Sequence, residues 1–212
     1  MTLAKICGLS TPEAVGAALA GGAAFLGFVF FAASPRDIAP AAAARLAGPA
    51  RGRARIVAVA VDPDNALVDR LMDGLKPDFI QLHGRETPAR AREIAVRAGV
   101  GVIKALAISR AADLDEAQAF EDVAEHLMFD AKASPEAARP GGLGASFDAA
   151  LLAGVRPPRP WFLAGGLDPW NVADAIARSG APMVDVSSGV ERGPGLKDPA
   201  LIEAFLEAVR RA

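Results

Sequence analysis

The sequence predicts an α/β protein, a single-domain (β/α)8 barrel of the TIM type spanning residues 1–212. Three observations carry that expectation. Short apolar runs alternate with alanine-rich amphipathic segments along the whole chain. Strict alternation implies parallel strands joined by helical crossovers. Eight such units fit into 212 residues, somewhat below the usual size of a closed eight-fold barrel. The rival architecture, an open doubly wound sheet, should carry a glycine-rich dinucleotide turn after its first strand. Cys7-Gly8-Leu9-Ser10 is not that fingerprint.

The first strand is expected over 4–7, closed by Gly8, and the first helix over 12–20. Thr11 stands as its cap and Pro12 takes the first helical position. The most apolar stretch, residues 14–33, approaches the length of a membrane span. Its Gly21-Gly22 pair breaks it into a helix, a turn and a buried second strand over 25–29. Helix 38–47, strand 56–61 and helix 66–75 come next, then strand 79–82 and helix 88–98, with Thr87 before Pro88 as a start signal. Strand 102–106, helix 114–120, strand 126–129 and helix 147–153 make two further units. After the stiff Arg156-Pro157-Pro158-Arg159-Pro160 loop, strand 161–164 leads to helix 169–179, which Asp168-Pro169 starts. Strand 183–186 and helix 199–211 complete the eight. Each strand is a short run bounded by turn residues or charge, as buried parallel strands are.

Composition narrows the function. Hydrophobic residues make up 52% and charged residues 23%, which excludes intrinsic disorder. The formal net charge of -2 lacks the basic excess of a nucleic-acid binder. One cysteine rules out an intrachain disulfide and a Cys-cluster metal site. His83 and His126 stand 43 positions apart, whereas two-histidine metal motifs need about three to five. No metal and no cofactor are expected. The N-terminus has no basic start followed by a long apolar run, so neither a signal peptide nor a membrane partner is expected. The expected compartment is the cytoplasm, where a lone thiol stays reduced.

In such a barrel the site forms at the C-terminal ends of the strands. The polar residues there are Cys7, Ser34 and Arg36, Asp62, His83, Lys104, Asp130, Gly165-Gly166 with Asp168, and Asp185 through Glu191. Cys7 is either a small inert buried hydrophobe or, beside Gly8 at a strand end, a reactive thiol. Asp130 ends an apolar strand and is either a loop cap or an acid facing the pocket; burial next to apolar side chains would raise its pKa and keep it protonated. Gly165-Gly166 and Ser188-Gly189 follow strands seven and eight, where backbone N–H groups often hold phosphate. Arg36 is either a solvated charge or a fork for a substrate carboxylate. His83 reads more readily as a hydrogen-bonded structural histidine than as the central base. Lys5 shares its strand face with Cys7. A buried lysine needs a partner, and Asp185 on the eighth strand is the obvious one.

Several segments together carry a resemblance. They are Lys5-Ile6-Cys7-Gly8, Gly27-Phe28-Val29-Phe30 with Ser34-Pro35-Arg36, Gln81-Leu82-His83-Gly84, Ile103-Lys104-Ala105 and Phe129-Asp130. Gly165-Gly166-Leu167-Asp168-Pro169 with Asn171-Val172, and Asp185-Val186-Ser187-Ser188-Gly189-Val190-Glu191 with Lys197-Asp198, complete the set. In this order and over nearly the whole chain, they resemble the phosphoribosylanthranilate isomerase family of tryptophan biosynthesis. The resemblance implies a (β/α)8 barrel and a cofactor-free Amadori rearrangement of N-(5-phosphoribosyl)anthranilate. It implies Cys7 as general base, Asp130 as general acid and Arg36 as the clamp on the anthranilate carboxylate. Gly165, Gly166, Ser188 and Gly189 become the phosphate cradle. Lys5, His83 and Asp185 are expected to line the substrate site as well. The implied partner is a small phosphosugar, and a monomer or homodimer is expected.

The chemistry explains those residue types. The acid protonates the ribose ring oxygen, and the base then removes a proton from the adjacent carbon. A thiolate suits this, since free cysteine titrates near pH 8.5 and needs only modest depression. One departure stands out: Leu143 and Ala149 occupy positions where the family usually has a hydroxyl residue and a tryptophan. Two alternatives remain at this stage. One is another phosphosugar barrel enzyme, of the indole-glycerol-phosphate synthase or pentose-phosphate epimerase type. The other is a non-catalytic phosphate-binding module.

Overall fold

The computed structural model describes residues 1–131, 152 and 155–212. Within them eight parallel strands close into a barrel in chain order. They are β1 (Leu3–Cys7), β2 (Phe25–Phe30), β3 (Arg55–Ala60), β4 (Phe79–Leu82), β5 (Gly101–Ile108), β6 (His126–Ala131), β7 (Trp161–Ala164) and β8 (Met183–Val186). Around them run α1 (Pro12–Ala20), α2 (Pro40–Ala47), α3 (Asn65–Gly74), α4 (Pro88–Ala98), α5 (Val172–Ser179) and α6 (Pro199–Arg211). A small antiparallel hairpin, β9 (Glu191–Gly193) and β10 (Leu196–Lys197), follows β8. The expected helix over 147–153 and the departures at Leu143 and Ala149 lie outside the described residues.

The start signals work as capping chemistry predicts. Thr11 accepts from the Ala14 N–H and Thr87 from the Arg90 N–H. Three expected helices differ. The segment expected at 38–47 stays extended until Pro40, because the Ile38 N–H is held by the Val29 carbonyl and the proline keeps Ala39 extended. The helix expected from 169 begins at Val172. The Asp168 carboxylate first accepts the Trp170 and Asn171 N–H groups, closing a side-chain turn. The helix expected over 114–120 is a 3-10 run, Ala111–Phe120. Asp113 ties down the Ser109 and Arg110 N–H groups at its start, and the segment buries little besides Ala117 and Phe120.

Alternation along the strands sorts side chains into two cores. Ile6, Leu26, Phe28, Ala58, Ile80 and Leu106 face outward into the layer shared with the helices. Cys7, Phe25, Val29, Val57, Val59, Phe79, Ile103, Met128 and Phe162 fill the barrel. Lys104 falls on the outward set: it pairs with buried Glu86 at 2.7 Å and lies over the Phe120 ring. Its place in the strand-end group is therefore corrected. It secures the loops after β3 and β4, because Glu86 also accepts the Asp62 and Gly84 N–H groups.

His126 sits at the lower end of the barrel among Phe25, Phe79 and Phe162, with ring centroids 6.1, 5.2 and 5.7 Å away. Burial pushes its imidazole below the ordinary value, and its Nδ1 is buried with no hydrogen-bond partner. The unfolded chain therefore binds this proton at a higher pH than the folded one. Stability from this site is complete above the unfolded value of about 6.5 and falls as pH drops below it. His126→Phe should flatten the fall in melting temperature between pH 7 and pH 5. Melting curves that keep the parent's pH dependence would count against this.

Candidate active site

Lys5 and Asp185 are Cα partners across the β1–β8 seam, and the Lys5 Nζ donates to Asp185 Oδ1 at 2.8 Å. Lys5 is wholly buried and Asp185 nearly so. Burial works to lower the Lys5 ammonium, but Asp185 and the neighbouring Cys7 together lift it above its ordinary value. Room for this pair comes from Gly27, the Cα partner of Cys7 on β2. A Cβ there would stand 3.0 Å from the Cys7 Sγ and 3.1 Å from the Lys5 Nζ.

The Cys7 thiol is buried, and burial pushes it up from its ordinary value, with Lys5 pulling the other way. Desolvation outweighs the pull of the lysine. Across the barrel mouth, the Asp130 side chain is 30% exposed. Its Oδ2 lies 3.1 Å from the His83 Nε2, and His83 Nδ1 lies 3.0 Å from the Gln81 Nε2.

Arg36 is neither a solvated charge nor an unattached fork. Its Nε and Nη2 donate to the two Glu191 oxygens, each at 2.7 Å, and its side chain is 22% exposed. This side-on pairing leaves Nη1 and the outer N–H of Nη2 for a ligand. The hairpin β9–β10 returns Lys197 to its register partner Glu191, with Nζ 2.6 Å from Oε1. Burial alone would raise the Glu191 carboxylate, but hydrogen bonds from Arg36 and Lys197 outweigh it and hold it low. Lys197 also donates to the Ser187 carbonyl, and the Ser187 hydroxyl donates to the Cys7 carbonyl.

Gly165 and Gly166, after β7, have φ of 91° and 65°, values that favour glycine. Ser188–Val190 forms one 3-10 turn after β8. At Gly189 a Cβ would overlap the Leu167 carbonyl oxygen, so this glycine lets the two loops touch. One cavity of about 460 Å³ joins Cys7, Arg36, Asp130, Gly165, Gly166 and Ser188. Among the described residues, no three His, Cys, Asp or Glu side chains gather where they could hold a metal ion. No helix there is long and apolar enough to cross a membrane.

A family model for N-(5'phosphoribosyl)anthranilate (PRA) isomerase matches residues 4–208. The chain belongs to this family. The N-(5'-phosphoribosyl)anthranilate isomerase of Caulobacter vibrioides is 68% identical over 210 residues, covering 99% of this chain and 96% of the relative. The crystal structure of the phosphoribosyl anthranilate isomerase from Thermotoga maritima has a TM-score of 0.88 at 34% identity, with both chains fully covered. Another crystal structure of such an isomerase, in complex with reduced 1-(o-carboxyphenylamino)-1-deoxyribulose 5-phosphate, has a TM-score of 0.86 at 31% identity, again over both full chains.

Cys7, Arg36, His83, Asp130, Gly165, Gly166, Asp185 and Ser188 line the barrel mouth, with Lys5 just beneath it, whereas Lys104 faces the helices. Lys5 and Asp185 are engaged with each other, and His83 with Gln81 and Asp130. Sequence reasoning assigned no role to Gln81, Glu191 or Lys197. A signal for the last two existed: Gly193-Pro194-Gly195 between them is a turn that brings its flanks together.

Proposed function

We propose that this chain catalyses the cofactor-free Amadori rearrangement of N-(5-phosphoribosyl)anthranilate to 1-(2-carboxyphenylamino)-1-deoxyribulose 5-phosphate, the isomerase step of tryptophan biosynthesis. The observation that carries the reading is the shared cavity, in which Cys7 and Asp130 meet Arg36 and the loops after β7 and β8. The substrate phosphate takes backbone N–H groups around Gly165, Gly166, Ser188 and Gly189. The anthranilate carboxylate takes the Arg36 edge that Glu191 leaves open.

Asp130 gives a proton to the ribose ring oxygen. The C1–O bond breaks, and the nitrogen lone pair forms the iminium. The Cys7 thiolate then takes the proton from C2, and the C–H electrons form the C1–C2 double bond while neutralising the nitrogen. The resulting enolamine tautomerises to the aminoketose. We place this chemistry in a single domain over residues 1–212, in the cytoplasm, in a monomer or homodimer.

The test follows anthranilate fluorescence as substrate is consumed, with and without a chelator. Turnover without added metal or cofactor is expected. Loss on chelation, restored by one divalent ion, would overturn the reading. The two anchors should fail differently. Arg36→Ala removes a charge-assisted contact of about 1.5–3 kcal/mol, so it should weaken a reduced product analogue roughly 10- to 150-fold and leave inorganic phosphate unaffected. Gly166→Asp should weaken both ligands. An added Cβ there meets nothing within 4 Å, and aspartate tolerates the left-handed conformation. Parent-like analogue binding by Arg36→Ala would remove the clamp role.

A further inference from the structure

We infer that Gln81 and His83 are positioning residues that decide which oxygen of Asp130 carries the acid proton; this rests on the reading of Asp130 as general acid. The argument begins at a sulfur atom. Gln81 is 1% exposed, and its Nε2 lies 3.3 Å from the Met128 Sδ and 3.0 Å from the His83 Nδ1. A thioether can only accept, so the amide presents its nitrogen there and spends both N–H groups, one on each neighbour. His83 Nδ1 must then accept, which puts the imidazole proton on Nε2. That proton is donated to Asp130 Oδ2, 3.1 Å away.

With Oδ2 accepting, the carboxylic acid proton sits on Oδ1, which has no partner among the described residues. The opposite tautomer would let Asp130 donate to the imidazole, leaving its proton unavailable to the ribose oxygen. The chain of contacts crosses β5 from β4 to β6, and β5 carries only the small Ala105 and Ala107 there, Ala107 being the Cα partner of Asp130. Stability does not account for Gln81. It lies beside the apolar Val59, Ile103 and Met128, and its Oε1 is buried with no partner. An apolar side chain would fill that place without an unsatisfied oxygen.

The experiment measures kcat and KM for His83→Ala, His83→Gln, Gln81→Met and the double variant of the last two, with Asp130→Asn alongside. A general acid contributes roughly 10²–10⁴-fold, and losing its orientation should cost His83→Ala about 10- to 100-fold in kcat, with KM within about threefold. His83→Gln keeps an N–H for Oδ2 but has no tautomer, so it should recover to within about threefold of the parent. Gln81→Met should lower kcat about tenfold in the parent and not at all in His83→Gln, since no tautomer remains to fix. Gln81→Leu supplies a second apolar replacement should methionine disturb folding.

Unchanged kcat in His83→Ala, a loss confined to KM, or equal cost of Gln81→Met in both backgrounds would overturn the inference while leaving Asp130 as the acid. Near-parent turnover by Asp130→Asn would overturn both.

Discussion

Cys7→Ser should fold as the parent does and lose roughly 10²- to 10⁴-fold in kcat, the usual contribution of a positioned general base. The volume change is small and the site is apolar on one side, so melting temperature should hardly move. A hydroxyl in the same place is far too weakly acidic to supply an anion near neutral pH. The parent's pH profile reports the same group. Burial raises the thiol above its ordinary range, so the thiolate fraction in the free enzyme should climb about tenfold per pH unit from pH 7 toward that value. A plot of log kcat/KM against pH should rise with a slope near one on the neutral to alkaline side. Near-normal turnover by Cys7→Ser, or a flat profile, would remove Cys7 as the base.

Lys5→Met is expected to damage both stability and chemistry. The Lys5 ammonium and the Asp185 carboxylate form a 2.8 Å pair almost without solvent contact. Removing one partner strands the other charge, typically at a cost of about 3–5 kcal/mol. Replacing both, as Lys5→Met with Asp185→Leu, should restore most of the stability, because apolar groups of similar volume substitute well for a buried pair. It should not restore activity. Ahead of Lys197, Lys5 is the main group that pulls the thiol down against burial. Without it the rising limb of kcat/KM should move to higher pH. Chemical denaturation of the single and double variants, with pH profiles for each, separates the two effects. A double variant with parent-like kinetics would show that Lys5 is only structural.

The sequence by itself determined the eight strands, their parallel order and each strand boundary to within two residues. Buried parallel strands must read as short apolar runs, and Thr11, Thr87 and the prolines mark helix starts by local chemistry. It also placed Cys7, Asp130 and Arg36 at strand ends, and it paired Lys5 with Asp185, because barrel closure puts the first strand beside the last. Period-two alternation even held the information that Lys104 faces outward, since Val102 and Leu106 do. Tertiary structure alone decided what each charge experiences. The Cys7 thiol is raised because its desolvation, a property of the closed barrel, exceeds the pull of Lys5 and Lys197. Asp130 is partly open because it stands at the barrel rim. Arg36 is oriented by Glu191, 155 residues away in sequence, through a hairpin whose docking no local pattern specifies. Hydrogen-bond partners depend on rotamers and on backbone placement to within a fraction of an ångström. A linear pattern fixes which face a residue occupies, but the packed chain sets its neighbours.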